Sequence, residues 1–313
     1  MEIPKELQNA IDALVEKIPP SALKKARETL SKTYSISGSS TVTFRDAGMR
    51  LAYLASRMPA TYAAVASVLR HLPIAPKRWL DLGAGPGTAS WAIATLFPDA
   101  EEGVLIEQNQ ETIALGRQLA SVHPVLSKAQ WRSESLPAAI SNADVAILSY
   151  SLGELDSPSM MIEAWEKSDI PFLVIIEPGT PRGFSLIRKA RDQVLGFGAK
   201  LVAPCPHAFA CPLKGDDWCH FSVRLPRSRL HRYLKGGDLG YEDEKYSYLI
   251  ASRSAFKTPS ARILRHPQKH SGHVRLVLCT AKGTVEEITV TKSNKQMYRA
   301  ARDASWGDSW EEQ

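Results

Sequence analysis

The spacing of hydrophobic positions changes twice along this chain of 313 residues. Over residues 4–70, apolar side chains recur every three or four positions, which predicts an all-helical N-terminal region. Its first helix ends at Pro19-Pro20, a second short helix is predicted over Leu23–Leu30, and the Ser/Thr-rich stretch Thr33–Thr43 predicts a loop.

Short apolar runs alternate with amphipathic stretches over residues 76–200, a pattern typical of a parallel sheet with crossover helices. Strands are predicted at Arg78–Leu82, Gly103–Glu107, Gln130–Ser133, Asp144–Tyr150 and Phe172–Glu177. Helices are predicted near Thr88–Leu96, Asn109–Ser121, Ser159–Lys167 and Phe184–Val194. The predicted fold class is therefore α/β, with a doubly wound, Rossmann-like sheet that binds ligands at the carboxyl ends of its strands.

The alternation stops after residue 200. A Cys-, Pro- and Gly-rich loop occupies Pro204–Cys219, strand-like runs follow at Tyr246–Ala251, and His273–Thr280 and Thr284–Thr291 form a predicted β-hairpin. We expect three regions: an N-terminal helical region (1–75), a Rossmann-like core (76–200), and a C-terminal region with the cysteine loop, the final strands and a basic surface (201–313).

Composition excludes several classes of protein. A chain with 44% hydrophobic and 23% charged residues is an ordinary globular protein rather than a disordered or fibrous one. Its longest apolar run, Phe172–Ile176, is far shorter than the roughly 20 residues that span a bilayer. Since the start of the sequence shows no secretory or import pattern, we expect a cytoplasmic protein, without membrane contact and monomeric.

The net charge of +6 is unevenly distributed. Residues 222–275 carry twelve Lys/Arg and four Asp/Glu, a surplus of +8. Such a surplus is expected where a protein contacts a polyanion, most often nucleic acid, although a solvated basic face is the plain alternative.

A glycine loop is the most informative local motif. Gly83, Gly85 and Gly87 follow the first predicted strand, where the missing Cβ atoms let a ligand approach the backbone. The third glycine comes one residue too early for the Gly-x-Gly-x-x-Gly dinucleotide motif, which disfavours NAD. Asp81 is a candidate acceptor for a ligand ammonium group, and Glu107, at the end of the second strand, for both hydroxyls of a ribose.

This pattern of an acid, three glycines and a strand-end acid resembles the class I S-adenosylmethionine-dependent methyltransferases. Glu134, after the third strand, is a weaker candidate for contact with the adenine. Where amino-methylating enzymes carry an Asn/Asp-Pro-Pro-aromatic turn, this chain has Ser149-Tyr-Ser-Leu-Gly-Glu-Leu155. No catalytic residue is therefore assigned, and whether the protein transfers a methyl group stays open.

All four cysteines lie in the last third of the chain, at Cys205, Cys211, Cys219 and Cys279. Thiolates bind both zinc and iron-sulfur clusters, and four of them on one site would hold a loop of low hydrophobic content. The absence of Cys-x2-Cys pairs and the presence of two Cys-Pro steps favour iron-sulfur over zinc. His207 and His220 are candidate substitute ligands or hydrogen-bond donors, and Trp218 is a candidate shield against water.

Four segments together resemble one known family: residues 52–62 (AYLASRMPATY), the Leu80–Thr88 loop, the four cysteines, and residues 301–308 (ARDASWGD). They are similar to the Rsm-type methyltransferase-like proteins of the small ribosomal subunit, which include methyltransferase-like protein seventeen of mitochondria, and this chain resembles a bacterial member. The resemblance implies a class I methyltransferase fold, a four-iron-four-sulfur cluster on the four cysteines, and small-subunit ribosomal RNA as partner.

From these observations we expect an S-adenosylmethionine-binding, iron-sulfur protein that docks on small-subunit rRNA, as a ribosome assembly factor or as an rRNA methyltransferase. Because a basic run follows the third cysteine, we also expect a cluster-ordered loop to fix an RNA-facing surface made of Arg224, Arg227, Arg229, Arg232 and Lys235. The alternative is a zinc-containing methyltransferase that acts on a small molecule or a protein.

Overall fold

The computed structural model describes residues 2–37, 46–138 and 142–311. Its contacts divide the chain into two compact units. The first unit comprises Met1–Ile175 and Val223–Glu244, and the second comprises Ile176–Ser222 and Lys245–Gln313. Within the described ranges, no helix is both long and apolar enough to cross a membrane.

The first unit begins with four helices: α1 (Lys5–Val15), α2 (Pro20–Ser37), α3 (Ala47–Ser56) and α4 (Met58–Leu69). The expected loop from Thr33 is wrong as far as Ser37, because α2 continues to that residue. Serine and threonine cost a helix interior only a few tenths of a kcal/mol each, roughly, so the Leu- and Lys-rich helix extends into them. The rest of the predicted loop lies outside the described residues.

The parallel sheet of the first unit follows the predicted alternation closely. Its strands are β1 (Arg78–Leu82), β2 (Glu102–Glu107), β3 (Gln130–Ser133), β4 (Val145–Ser149) and β5 (Phe172–Pro178). Its helices are α5 (Thr88–Leu96), α6 (Gln110–Ala120) and α7 (Pro158–Glu166). The strand order β3-β2-β1-β4-β5 places β1 between β2 and β4, with Leu82 level with both Ile106 and Leu148.

This order confirms the doubly wound α/β class. Chain connections leave β1 and β4 in opposite directions, so the crevice beyond their carboxyl ends is the topological switch point where such sheets bind ligands. The glycine loop follows β1 and therefore lies at this crevice.

An insertion not predicted from the sequence completes the first unit: β7 (Phe221–Pro226), α9 (Arg229–Lys235) and the start of β8 (Tyr241–Ser252). Leu234 of α9 is fully buried in a cluster with Val15, Leu23 and Ala55 of the N-terminal helices. Apolar contact with these helices therefore stabilises α9, which is too short to persist alone.

The second unit contains α8 (Pro181–Gly196), β6 (Lys200–Ala203) antiparallel to β8, and a small antiparallel sheet. Its strands are β9 (Ala261–Ile263), β10 (Gln268–Lys269), β11 (His273–Thr280), β12 (Val285–Thr291) and β13 (Ser309–Trp310). They lie in the order β10-β11-β9-β13, with β12 on the other edge of β11. The predicted hairpin is thus confirmed as β11–β12, and α10 (Lys295–Asp303) covers the core formed by Val274, Leu276 and Leu278.

Candidate functional site

The glycine loop has the backbone conformation that its sequence predicts. Gly83, Gly85 and Gly87 all have positive φ, at 70°, 54° and 86°. A Cβ at Gly83 would lie 2.6 Å from the Cβ of Ser151, whereas a Cβ at Gly85 would meet nothing within 4 Å. Gly83 is therefore required for packing, and Gly85 is where the loop has open space for a ligand.

Asp81 is buried, at 1% exposure, and points at the first turn of α5. Its Oδ2 accepts hydrogen bonds from Ser90 N at 3.1 Å and from Ser90 Oγ at 2.8 Å. Ser90 Oγ in turn accepts from Trp79 Nε1 at 2.9 Å. Asp81, the predicted ammonium acceptor, thus connects β1 to α5, the two elements that flank the glycine loop. Burial raises the pKa of Asp81 to about 6.

Glu107 lies against the glycine loop, as expected for a residue at the end of β2. Its Oε2 accepts from Gly85 N at 3.0 Å and its Oε1 from Asn109 N at 2.9 Å. An ionised carboxylate has about four lone-pair sites, so two hydroxyl donors can still be accommodated. The residues present therefore fit a ribose at this position. Glu134 follows β3 and is exposed.

A cluster of side chains at the end of β4 was not predicted from the sequence. Tyr150 has φ 58°, the one positive value among non-glycine residues in the described ranges. Its hydroxyl donates to Glu244 Oε1 at 3.2 Å, and the guanidinium of Arg57 binds both oxygens of the same carboxylate at 2.7 and 2.8 Å. Arg57 also lies over the Tyr150 ring, 5.5 Å from its centroid. A backbone held in this strained region marks a position fixed by its surroundings.

The partners of this cluster explain why sequence reasoning did not find it. Glu244 is 187 residues from Arg57 and lies on β8, so no spacing rule connects the two. The one available signal was Arg57 itself, within the stretch that carries the family resemblance. The cluster leaves the Glu244 carboxylate engaged by three donors, which disfavours it as a general base.

The four cysteines meet in the second unit. Cys205, Cys211, Cys219 and Cys279 line one pocket with about 550 Å³ of empty space, including the part open to solvent. None forms a disulfide, and electrostatic interactions link every pair of the four thiols. The structure thus brings together the whole predicted constellation, from one loop and strand β11.

Burial disfavours the charged form of three of these thiols, those of Cys205, Cys219 and Cys279. Burial raises the pKa of Cys279 to about 12, and it raises the pKa of Cys219 well above its ordinary value. Burial also raises the pKa of Cys205, although the guanidinium of Arg191 opposes this rise. A cation that binds here would displace thiol protons, because thiolate is the ligand form.

Two buried arginines hold the cysteine loop. Arg191, from α8, donates from Nη2 to the carbonyl oxygens of His207 and Phe209, at 3.1 and 2.6 Å. Arg262, from β9, donates from Nε to the carbonyl of Pro204 at 2.9 Å. Both guanidiniums act electrostatically on Cys205 and Cys279. The pocket is therefore a cationic environment, suited to an anionic group.

The histidines occupy different places. His207 lies in the pocket, with Nε2 3.4 Å from Cys279 Sγ, and its Nδ1 is buried without a hydrogen-bond partner among the described residues. His220 instead stacks on Trp218 and meets the edge of Trp306. Trp218 packs against the same buried cluster as Cys211 and Cys219, and it donates from Nε1 to Gly179 O at 3.0 Å. His207 is therefore the better candidate of the two for direct contact with a bound group.

A compact site for a single metal ion is absent from the part of the chain that the structure describes: no three His, Cys, Asp or Glu side chains lie close enough to share one ion. A tetrahedral zinc site has Zn–S distances of about 2.3 Å and hence requires tightly gathered sulfur atoms. The four thiols line one pocket, but no three of them are gathered into such a site.

The expected basic surface on residues 224–235 does not form as predicted. Arg224 pairs with Asp243 at 2.8 and 2.9 Å, while Arg227 and Lys235 both bind the carboxylate of Glu242, at 2.6 to 3.0 Å. The acids that follow the run on β8 pair with three of its five cations, because the β7–β8 pairing brings them alongside. Of the five cations, Arg229 and Arg232 are exposed and form no ion pair among the described residues.

The doubly wound sheet with its glycine loop defines a Rossmann-like α/β protein. The family model for the mitochondrial small ribosomal subunit protein Rsm22 matches residues 48–311, and the chain belongs to this family. The resemblance inferred from the sequence is thereby confirmed.

Two relatives are similar to the chain, one over most of it and the other over less than half. The mitochondrial ribosome assembly protein METTL17 of Homo sapiens is 29% identical over 292 residues, covering 83% of this chain and 62% of the relative. The mitochondrial ribosome assembly protein RSM22 of Saccharomyces cerevisiae is 26% identical over 240 residues, 44% of this chain and 38% of the relative. The chain therefore spans less than two thirds of the length of these relatives.

Similar solved structures include a putative RNA methyltransferase of Pyrococcus horikoshii, with 16% identity and a TM-score of 0.42, covering 64% of this chain and 88% of that one. An O-methyltransferase family protein of Burkholderia thailandensis has 14% identity and a TM-score of 0.47, covering 75% of this chain and 72% of that one. These distant similarities do not bear on function.

Proposed function

We propose that this protein is a ribosome assembly factor that carries a four-iron-four-sulfur cluster on Cys205, Cys211, Cys219 and Cys279 and docks on small-subunit rRNA. The observation that carries the proposal is the meeting of four thiols, up to 74 positions apart in sequence, around one pocket. Family membership supports the ribosomal partner, since the relatives METTL17 and RSM22 are named ribosome assembly proteins. A cytoplasmic location is part of the proposal.

The chemistry of the pocket fits an iron-sulfur cluster better than zinc. In a four-iron cluster each thiolate binds a different iron atom, so the sulfur ligands stand farther apart than around one zinc ion. All four thiols line one pocket, as a shared cluster requires. The buried guanidiniums of Arg191 and Arg262 would offset the negative charge of four thiolates, and His207 would supply a hydrogen bond to the Cys279 sulfur.

The glycine loop would hold S-adenosylmethionine, with the ribose on Glu107 and the ligand backbone against Gly85. When bound, this cofactor supplies a methyl group on a sulfonium. The residues around the end of β4 favour binding over catalysis, because Glu244 is engaged by Arg57 and Tyr150 and no other base is assigned. Asp81 would fix the loop through Ser90 rather than bind the ligand directly.

The experiment that tests the proposal incubates anaerobically purified protein with small-subunit precursor particles and S-adenosylmethionine labelled in the methyl group. We expect the protein to co-sediment with the particles and no label to enter the RNA. Label in the rRNA would replace the assembly-factor role with that of an rRNA methyltransferase. Failure to bind the particles, with the cluster intact, would contradict the ribosomal role.

A further inference from the structure

The positive charge of the protein is concentrated in the second unit. This unit carries eighteen Lys/Arg and ten Asp/Glu, a formal net charge of +8. The first unit carries twenty-one Lys/Arg and twenty-three Asp/Glu, or −2. The second unit is therefore a better candidate for a polyanion-binding surface than the basic run on α9.

Five cations lie around the turn between β10 and β11 and on the neighbouring helix α10. We name this set the turn surface; its members are Lys269, Lys292, Lys295, Arg299 and Arg302. All five are exposed. Unlike Arg224, Arg227 and Lys235 of the first-unit insertion, none of them lies within 4 Å of a carboxylate in the described ranges.

Contacts join the segments that carry these side chains. Arg302 donates from Nη1 to the carbonyl of His270 at 3.3 Å, and Tyr298 donates its hydroxyl to the carbonyl of Ser271 at 3.3 Å. The amide of Lys292 donates to Gly272 O at 3.3 Å, so the end of β12 lies beside the same turn. The turn, the end of β12 and helix α10 therefore form one packed patch.

Helix geometry aligns the cations of α10. Lys295, Arg299 and Arg302 are spaced by four and then three residues, so they lie on one face over about 10 Å. Met297 and Ala301 face the other way, into the core of the small sheet. On the turn, the rings of His270 and His273 stack at 4.6 Å between centroids, giving flat polar surfaces beside the cations.

We infer that the turn surface binds the phosphate backbone of RNA, an inference that rests on the proposed function. A row of unpaired cations matches a row of phosphates, and contacts of this kind supply most of the affinity for nucleic acid. An anionic membrane is the competing polyanion. Surfaces that bind membranes add exposed Trp, Phe or Leu, and in the described ranges the exposed large hydrophobics lie outside β10, β11 and α10.

The test compares two triple variants that remove the same charge and the same residue types. Lys269→Gln, Arg299→Gln and Arg302→Gln change the turn surface. Lys128→Gln, Arg229→Gln and Arg232→Gln change exposed, unpaired cations of the first unit. Binding to a labelled small-subunit rRNA fragment is measured by fluorescence anisotropy at several salt concentrations, and circular dichroism checks that each variant is folded.

We expect the turn-surface variant to bind at least about tenfold more weakly than the unmodified protein at low salt. The slope of log affinity against log salt should fall in magnitude by about 2 to 3, since each lost phosphate contact contributes roughly 0.7 to 0.9. The control variant should keep most of the affinity and slope. Equal losses in both variants, or none in the first, would overturn the inference.

Two further outcomes separate a failure of the proposed function from a failure of this inference. If the unmodified protein does not bind the rRNA fragment, the proposed function fails rather than the location of the surface. If the turn-surface variant binds RNA normally but loses sedimentation with phosphatidylserine vesicles, the patch binds membranes and the inference is wrong.

Discussion

Asp81 is predicted from the sequence to contact a ligand, and in the fold its carboxylate connects strand β1 to helix α5. The sequence shows that Asp81 precedes the glycine loop. Its hydrogen bonds to Ser90 depend on how α5 packs against β1, which the sequence does not show. The carboxylate is fully buried, so desolvation disfavours its charged form and the pKa rises to about 6.

Asp81 predicts a particular dependence of stability on pH. Because its folded pKa is above the ordinary value of 3.8, the folded state binds the proton more tightly, and stability falls as pH rises from about 4 to about 6. The shift corresponds to about 3 kcal/mol. Relative to the unmodified protein, Asp81→Asn should therefore gain free energy of unfolding between pH 4.5 and pH 7, measured by urea titration.

Asp144 provides the control of opposite sign. Burial alone would raise its pKa, but hydrogen bonds from Arg78 and Lys77 hold it below the ordinary value. Its contribution is therefore present at neutral pH and lost as pH falls. Asp144→Asn should lose stability, relative to the unmodified protein, on going from acidic to neutral pH. An Asp81→Asn variant that follows the same trend would contradict the assignment.

At the scale of elements, the insertion β7–α9–β8 depends on one carboxylate. Glu242 is 9% exposed and binds both Arg227 and Lys235. Burial alone would raise its pKa, yet Lys235 and Arg227 hold it below the ordinary value, so the carboxylate is charged at neutral pH. Removing one partner from a buried ion pair leaves uncompensated charge and is costly.

We therefore expect Glu242→Gln to lower the free energy of unfolding by about 3 kcal/mol. The control is Asp243→Asn, which breaks the exposed pair with Arg224 and should cost less than about 1 kcal/mol. Urea titration of both variants at pH 7 measures the difference. Equal losses would show that the buried pair does not stabilise the insertion.

Elements also show what the sequence predicts and what it does not. The strand Arg78–Leu82 and the helix Thr88–Leu96 have the predicted bounds, because buried apolar runs end at clear turn residues. The strand Gln130–Ser133 also has its predicted bounds, although no residue of it is buried. Strand β7 and helix α9 were missed, since they are short and amphipathic and fold against distant helices. The charge surplus was visible in the sequence, but which cations are neutralised depends on strand pairing.

At the scale of the whole molecule, one chain carries three features. The first unit has a glycine loop at its switch point, and the second unit has a cysteine pocket and the turn surface. The cysteine constellation was predictable because its four members are all the cysteines of the chain. The arginines and His207 that surround it were not assigned from sequence, because their roles come from α8, β9 and the path of the loop.

The most direct test is metal and sulfide analysis of protein purified without oxygen, with an absorption spectrum of the same sample. The account predicts a brown protein with about four iron and four sulfide per chain. Serine at any one of the four cysteine positions should lower the iron content, whereas His266→Asn, on an exposed histidine against Trp306, should leave it unchanged. A colourless protein with one zinc per chain would contradict the account.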